Sequence, residues 1–159
     1  MEFRSQLLAA EGCQFTANIT ADYGEELYTF SVQCQADRQG AVTFALLEPK
    51  ALSGIAGKIS DSGGSLKFEN SALCFPLMTE DQLNPASAPW ILLKTLRSGY
   101  LTSACMEEGK LRLTMDDTYE EDALQLDVWL EEGRTPVRGD ILYDGKRILT
   151  VDVIDFVLL

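Results

Sequence analysis

The sequence contains no histidine among its 159 residues. Histidine is the general base of Ser-His-Asp and Cys-His active sites and the commonest zinc ligand in proteins. Its absence excludes most hydrolase templates and the usual zinc sites. We therefore predict a protein that is not an enzyme and that holds no metal and no cofactor.

Long apolar runs are also missing. The longest, such as Trp90–Leu93 and Phe156–Leu159, are far shorter than the roughly 20 residues of a bilayer-spanning helix. The residues from Met1 to Arg4 lack the basic start, apolar middle and small-residue cleavage site of a signal peptide. We expect a chain that does not cross a bilayer, and either a cytoplasmic location or an export segment that precedes this sequence.

Basic residues are scarce relative to acidic ones. Thirteen lysines and arginines stand against 25 aspartates and glutamates, which gives a net charge of −12. Such a surface repels phosphate backbones at long range, so nucleic acid is not an expected partner. The length and the 46% apolar content suit one domain with a sizeable core, and we predict a single domain over residues 1–159.

Apolar and polar residues alternate along most of the chain, which is the pattern of half-buried strands. The alternation covers 13–21, 28–34, 42–46, 55–59, 66–68, 73–75, 101–106, 111–115, 124–130, 141–143 and 148–156. Turn sequences such as Asp144-Gly145 join neighbouring strands. Only the segment 76–99 is long enough for a helical crossover, so we predict an α+β fold with an antiparallel sheet of about nine or ten strands.

Two helices are expected. The first follows from Phe3, Leu7 and Leu8, which share one helical face before Gly12. The second begins at Pro89, where a missing N–H costs little, and ends at Gly99. Because the second helix is apolar on most sides, it is either a plain buried helix or a lid that faces a ligand.

Several motifs in this order resemble those of a known group of proteins. They are Pro49-x-x-x-x-Gly54-Ile-x-Gly-x-Ile59, Gly64-x-Leu-x-Phe68, Leu73-x-Phe75-Pro, Pro89-Trp-Ile-Leu and Leu96-Arg-Ser-Gly-Tyr100. Together with the order of helix and strands, they resemble extracytoplasmic lipoproteins of Gram-positive gut bacteria, which are similar to the LolA/LolB-like lipoprotein-carrier fold. The resemblance implies a strongly curved antiparallel half-barrel with two or three helices, one of which plugs the mouth over an apolar cavity for acyl chains.

The same resemblance implies a function. We expect non-enzymatic binding of a lipid or other hydrophobic ligand by a monomer at the cell envelope. We also expect an extracytoplasmic lipoprotein tethered to the membrane through an N-terminal lipobox cysteine, which this sequence does not contain. The alternative is an envelope-associated accessory protein with a filled core and no ligand.

The candidate ligand-binding residues are the apolar side chains expected to point inward from the sheet and from the second helix. They are Phe30, Val32, Phe44, Phe68, Phe75, Trp90, Leu93 and Leu96. For a carrier, we expect them to surround an apolar void of about 300 Å³ or more. Trp129 alternates out of phase with its apolar neighbours and is expected to be more exposed.

Each of three short motifs that contain acidic residues has a functional interpretation and a simpler one, an ordinary turn or a chance match. Asp61-Ser62-Gly63 matches the signature of aspartic proteases, but one copy would require a homodimer, and the composition is typical of a turn. The acidic run 116–122 lacks the spacing of a calcium loop and favours a solvated turn. Arg138-Gly139-Asp140 matches an integrin-binding tripeptide, which is short enough to arise by chance.

The four cysteines are too few to define a disulfide scaffold. Cys13 and Cys34 share a phase on neighbouring strands, and we expect them to approach closely enough to oxidise outside the cell. Cys74 and Cys105 have no evident mates. Free buried thiols are the alternative, because cysteine packs as a small apolar residue.

Overall fold

The structure is a computed structural model that describes residues 2–22, 24, 26–68, 71–75, 78–79, 82–118 and 123–159. For residues 68, 71–75, 78–79 and 82–83 the description covers the backbone alone. The helices are α1 (Glu2–Ala9) and α2 (Ala88–Ser98), and short 3₁₀ turns span Lys50–Leu52 and Pro85–Ser87.

Thirteen strands are described. They are β1 (Gly12–Asp22), β2 (Leu27–Asp37), β3 (Val42–Glu48), β4 (Ala56–Ser60), β5 (Gly63–Phe68), β6 (Ser71–Phe75), β7 (Met78–Thr79), β8 (Gln82–Leu83), β9 (Tyr100–Glu107), β10 (Lys110–Asp116), β11 (Leu124–Glu131), β12 (Thr135–Tyr143) and β13 (Lys146–Leu158). Eleven form one sheet in the order β6-β5-β4-β3-β2-β1-β13-β12-β11-β10-β9, and β7 pairs with β8. Every described pairing is antiparallel.

The predicted fold class is confirmed: the chain forms an open, curled antiparallel sheet with two helices. The sequence did not indicate the β7–β8 hairpin, because two-residue strands are too short to show alternation. It also placed the start of β12 at Ile141, six residues after Thr135. Trp129 pairs with Arg138 but Leu130 pairs with Pro136, so Val137 is an extra residue in β12, and this bulge interrupts the alternation of the segment.

The core lies between the inner face of the sheet and the two helices. Its strand residues alternate as predicted, and Ala17, Ile19 and Ala21 are fully buried on β1. The core is continuous from β3 and β4 through β1 to β10, because its buried side chains form one contact cluster. Burial of this apolar face is the main term that stabilises the fold.

Helix α1 closes one end of this core. Phe3 packs against Phe156 of β13, with ring centroids 6.0 Å apart, and Phe156 in turn stacks on Phe15 at 5.7 Å. Leu8, expected on the buried face, is 46% exposed because only the face that carries Phe3 and Leu7 meets the sheet. Tyr28 also departs from its predicted inward position: it is 48% exposed near the hairpin end of β2, where its hydroxyl donates to the Glu26 carboxylate.

In the part of the chain that the structure describes, neither helix has the length and apolar composition needed to cross a membrane.

Candidate functional site

Helix α2 is the element that carries most of the candidate site. Pro89 lies in its first turn, and eight of its 11 residues are buried. Leu92 rests on β12, where a Cβ on Gly139 would lie 2.9 Å from the Leu92 Cδ1 atom. A helix buried on most of its circumference within a curled sheet can act either as a core element or as a lid over bound ligand.

The C-terminal end of α2 is held by α1. Arg4 Nε donates to the carbonyl oxygen of Leu96 at 2.7 Å, and Arg4 Nη2 donates to the carbonyl oxygens of Gly99 at 2.8 Å and Thr95 at 3.3 Å. These carbonyls lie in the last turn of the helix and just after it, and the Thr95 oxygen also accepts from the Gly99 backbone N–H at 2.7 Å, so Arg4 adds a second donor there. Burial lowers the pKa of the Arg4 guanidinium from its usual value. One charged side chain therefore caps α2 and ties it to α1.

Gly99 ends α2 by close packing. Its φ of −72° is available to any residue. A Cβ at this position would lie 2.6 Å from the Thr95 carbonyl oxygen and 3.0 Å from that of Asp116. The helix end thus fits against β10 only without a side chain, whereas the sequence suggested glycine as a stop signal alone.

One side of α2 faces the turn between β2 and β3. Trp90, Lys94 and Arg97 are spaced at i, i+4 and i+7, so they share a helical face. Arg97 Nη2 donates to the carbonyl oxygen of Arg38 in that turn at 2.7 Å, and Lys94 Nζ lies 5.0 Å from the centroid of the Trp90 ring. The C-terminal half of α2 is therefore docked on both sides, by Arg4 and by Arg97.

A cleft of about 370 Å³ opens beside the other half of α2. Its walls come from the β2–β3 turn, the end of β4, the β4–β5 turn and the start of α2. They are Asp37, Gln39, Gly40, Ala41, Lys58, Ser60, Asp61, Ser62 and Trp90. The Asp37 carboxylate accepts hydrogen bonds from the backbone N–H groups of Gln39 and Ala41, which fixes the turn. The cleft therefore combines carboxylates, hydroxyls, an amide and one ammonium group with a single indole.

The structure brings together five of the eight predicted ligand-binding residues. Val32, Phe44, Trp90, Leu93 and Leu96 are buried in the same core cluster, and Phe30 is half-buried against it. The side chains of Phe68 and Phe75 lie outside the described residues. Of the eight, Trp90 lines the 370 Å³ cleft, which is polar where we expected an apolar void.

Phe44 occupies space that a missing side chain provides. A Cβ on Gly57 of β4 would lie 2.6 Å from the Phe44 Cζ atom and 2.4 Å from the Ser65 carbonyl oxygen. The glycine of the Gly54-Ile-x-Gly motif thus lets an aromatic ring lie flat across the neighbouring strand. Gly57 therefore contributes through packing, because it has no side chain that could contact a ligand.

Sequence reasoning missed the polar residues of the site. Arg4 carried no signal, because its partners on α2 are more than 90 positions away along the chain. The sequence indicated a turn at Asp61, but nothing in it indicated that this turn and the one that contains Asp37 converge on Trp90. One signal was available. The β2–β3 and β4–β5 turns both carry charged residues, and in an antiparallel meander these two turns lie at the same end of the sheet.

Trp129 is half-buried on the outer face of the sheet. Its ring lies between two guanidinium groups, with Arg112 Cζ 5.1 Å and Arg138 Cζ 5.3 Å from the centroid. Arg112 also contacts Asp127 at 2.8 Å and Glu107 at 2.9 Å, and these hydrogen bonds raise its pKa. The prediction that Trp129 is out of phase and more exposed than Val128 and Leu130 is confirmed, but the sequence did not indicate the cation–π contacts that cover part of its ring.

Cys13 and Cys34 lie on one face of neighbouring strands, as predicted, and both thiols are free and buried. The strand register pairs Cys13 with Ala36 and Phe15 with Cys34, so the two cysteines are diagonal neighbours. Desolvation by burial raises the pKa of Cys13 to about 11. Burial also raises the pKa of Cys34, and the nearby Cys13 thiol adds to the effect. Such thiols are poor nucleophiles and pack as apolar groups.

The acidic motifs lie in ordinary surroundings. Asp61 and Ser62 form the turn between β4 and β5, and Asp117 accepts a hydrogen bond from the Leu124 backbone N–H. Residues 119–122 of the acidic run lie outside the described residues. Arg138 and Asp140 pair with each other at 3.2 Å inside β12. Among the residues that the structure describes, no three potential metal ligands are grouped around a common point.

No family model matches the chain, and no curated protein sequence matches it. Solved structures do match. An uncharacterized conserved protein from Thermus thermophilus has a TM-score of 0.53 at 14% identity, with 98% of this chain and 83% of that chain covered. A putative outer membrane lipoprotein-sorting protein domain from Vibrio parahaemolyticus has a TM-score of 0.51 at 10% identity, with 99% and 89% covered. A DUF1329 family protein from Desulfovibrio piger has a TM-score of 0.51 at 9% identity, with 98% and 88% covered.

The chain shares its fold with these proteins. The likeness to a lipoprotein-sorting domain over nearly the whole chain confirms the predicted type of fold. At these identities the likeness concerns the fold alone, and the Gram-positive gut source stays a prediction.

Proposed function

We propose that this protein is a non-enzymatic carrier of a hydrophobic ligand and that the ligand's acyl chain inserts between α2 and the inner face of the sheet. The observation that carries the proposal is the burial of Trp90, Leu93 and Leu96 on a helix that lies across an apolar, curled sheet. The acyl chain would take the place of contacts between these side chains and residues such as Val32 and Phe44. Phe68 and Phe75, predicted from the sequence, are further proposed contacts of the ligand.

The unequal anchoring of α2 supports a lid. Arg4 and Arg97 hold its C-terminal half to α1 and to the β2–β3 turn. Its N-terminal end follows a 3₁₀ turn whose hydrogen bonds are local, from the Ala86 N–H to the Asn84 side chain and from the Ser87 hydroxyl to the Asn84 carbonyl. In the proposed motion the helix tilts about its C-terminal end and opens a path beside Trp90, which requires the buried side chains from Ala88 to Leu93 to move away from the sheet.

The polar cleft supports an amphiphilic ligand. It lies at the N-terminal end of α2, and Trp90 belongs both to the cleft and to the apolar core. An acyl chain that enters beside Trp90 leaves its polar end among Lys58, Asp61 and the nearby hydroxyl groups. Pockets that combine apolar contact with a few polar groups are typical of small-molecule sites.

A location at the cell envelope is part of the proposal. The similar fold of a lipoprotein-sorting domain, whose name refers to the outer membrane, supports it. We propose an extracytoplasmic lipoprotein, tethered to the membrane by a lipid on an N-terminal cysteine outside this sequence. Residues 1–159 act as one domain, and since one chain supplies every residue of the site, a monomer suffices for carriage.

One observation favours a second function. The apolar residues of α2 pack directly on the sheet in a continuous cluster, as in an ordinary filled core. On that basis the chain would be an envelope-associated accessory protein without a ligand, and α2 would be a fixed core helix. The two functions differ in whether any lipid binds.

Native mass spectrometry of the gently purified protein tests the proposal. A carrier is expected to retain a co-purified lipid or to bind added fatty acid or phospholipid with one-to-one stoichiometry. Trp90→Ala is expected to weaken this binding, whereas Leu27→Ala, at an exposed apolar position on β2, is the matched control and should leave it unchanged. A clean apo mass with no binding of either lipid class would contradict carriage and support the accessory function.

A further inference from the structure

Strand β9 forms one edge of the 11-stranded sheet and is exposed along almost its whole length. It pairs with β10 on one side and has no strand on the other in the described sheet. All residues from Tyr100 to Met106 are exposed. Its outer row of backbone N–H and C=O groups is a template for another strand.

The composition of β9 lacks the features that usually protect an edge. The seven residues from Tyr100 to Met106 include no charge, no proline and no glycine, in a chain with a net charge of −12. Natural edges are commonly blocked by lysine, proline or inward charges. A neutral segment of this kind with β-forming residues is prone to pair with another strand.

A bulge gives this edge an apolar rim. Thr114 pairs with Ser103, but Met115 pairs with Leu101, so Thr102 is the extra residue. Cross-strand partners share a face, and Leu101 and Met106 therefore both lie on the side of the buried Met115 and the half-buried Leu111. Leu101 and Met106 are five positions apart, so without the bulge their side chains would lie on opposite faces of the sheet. They are 50% and 69% exposed.

We propose that β9 pairs antiparallel with β9 of a second copy of this chain, about a two-fold axis near Ala104. This arrangement sets Ala104 beside its own copy and Ser103 beside Cys105. Met106 of each copy then lies beside the bulge at Leu101 and Thr102 of the other. Residues with small side chains occupy the centre, and the exposed apolar residues cover each other at both ends.

Charge favours a second copy in this orientation. Two molecules of net charge −12 repel each other, so the contact forms where the surface is neutral. Antiparallel pairing places Glu107 of one copy beside Tyr100 of the other, and the two Glu107 carboxylates lie at opposite ends. Parallel pairing would set these carboxylates side by side. A closed two-fold pairing also consumes both β9 edges, which stops further growth.

The contact is small and the dimer should be weak. A single strand pair with two apolar contacts buries less than the roughly 1,200 Å² that marks the lower limit of stable interfaces. The cleft lies among β2 to β5 and α2, near the other edge of the sheet, so this pairing leaves it open. The inference does not rest on lipid carriage.

Sedimentation velocity over a range from about 10 μM to about 1 mM, which brackets affinities of weak complexes, tests the pairing. We expect a reversible monomer–dimer equilibrium. Met106→Lys should weaken self-association at least about tenfold, since at each end of the contact it replaces the apolar side chain that covers Leu101 of the other copy with an ammonium group that must lose water there. Val157→Lys introduces the same charge at a 47% exposed position of β13 and should leave the equilibrium unchanged.

Hydrogen exchange supplies a second readout on the unmodified chain. Amides of residues 100–107 should become slower to exchange at high protein concentration, and other strands should not. A monomer at every concentration would overturn the proposal, as would equal weakening by Val157→Lys. Growth beyond a dimer would also overturn it and would indicate pairing of β9 with the uncharged β6 edge of another copy.

Discussion

Arg4 Nε donates to the carbonyl oxygen of Leu96 at 2.7 Å, and this contact joins the first turn of the chain's first helix to the last turn of α2. The guanidinium donates to three carbonyl groups at the end of the helix, and of these the Thr95 carbonyl also accepts from the Gly99 backbone N–H. In the proposed lid motion, Arg4 would mark the end about which α2 tilts.

Replacing Arg4 tests its capping role. Arg4→Met keeps much of the side-chain volume and removes every donor. Hydrogen bonds to charged groups typically contribute about 1.5–3 kcal/mol, so we expect the free energy of unfolding in urea to fall by about that amount. Arg38→Met removes the exposed ion pair with Glu11, 3.3 Å apart, and should cost less than about 1 kcal/mol. Equal effects of the two substitutions would show that Arg4 does not cap α2.

Substitution of Gly99 tests the close packing at the C-terminal end of α2. Gly99→Ala places a methyl group 2.6 Å from the Thr95 carbonyl oxygen, which forces the backbone to shift. Overpacking of this kind usually costs about 1–3 kcal/mol, and the thermal midpoint should fall accordingly. Ser98→Ala, at the exposed neighbouring position, is the control and should change stability little. A Gly99→Ala protein as stable as the wild type would show that the helix end has room for a side chain.

The raised pKa values of the two buried cysteines, Cys13 and Cys34, predict that the protein loses stability at alkaline pH. Burial raises the pKa of Cys13 to about 11, above the usual value of 9.0, so the folded state holds this proton more tightly than the unfolded state. The resulting stability is complete below about pH 9 and is lost as the pH rises towards 11. The shift of Cys34 acts in the same direction.

Chemical unfolding at several pH values checks this prediction. Between pH 8 and about 11, the wild type should lose more stability than the double variant Cys13→Ala/Cys34→Ala, since the variant has no buried thiol to ionise. Cys105→Ser, at the exposed cysteine, should follow the wild-type curve. Parallel curves for the wild type and the double variant would contradict the assigned cause. With native protein at neutral pH, Cys13 and Cys34 should resist thiol reagents that modify Cys105.

Local patterns in the sequence were sufficient for most of the sheet. The alternation from Cys13 to Ala21 predicted both the strand and its buried face, because a half-buried strand imposes a period of two. The same pattern could not fix register. Asp22 pairs with Leu27 at the hairpin end, and this pairing makes Cys13 and Cys34 diagonal neighbours.

The polar parts of the site depend on contacts between distant segments. Arg4 contacts α2 across more than 90 positions of the chain, and the cleft forms only where the β2–β3 and β4–β5 turns lie against Trp90. The periodicity of apolar residues along the chain carries no information about such contacts between distant segments. The arginines beside Trp129 were missed for the same reason, since Arg112 and Arg138 come from two different neighbouring strands.

Quenching of Trp90 fluorescence by bromine-labelled acyl chains tests the central claim most directly. In Trp129→Phe, Trp90 is the one remaining tryptophan, since the chain has two. If an acyl chain inserts beneath α2, fatty acids brominated along the chain should quench Trp90 emission in a saturable manner, and unlabelled fatty acid should compete. Emission that is unchanged by every brominated fatty acid and phospholipid tried, from a protein shown to be folded, would contradict carriage and identify α2 as a core helix.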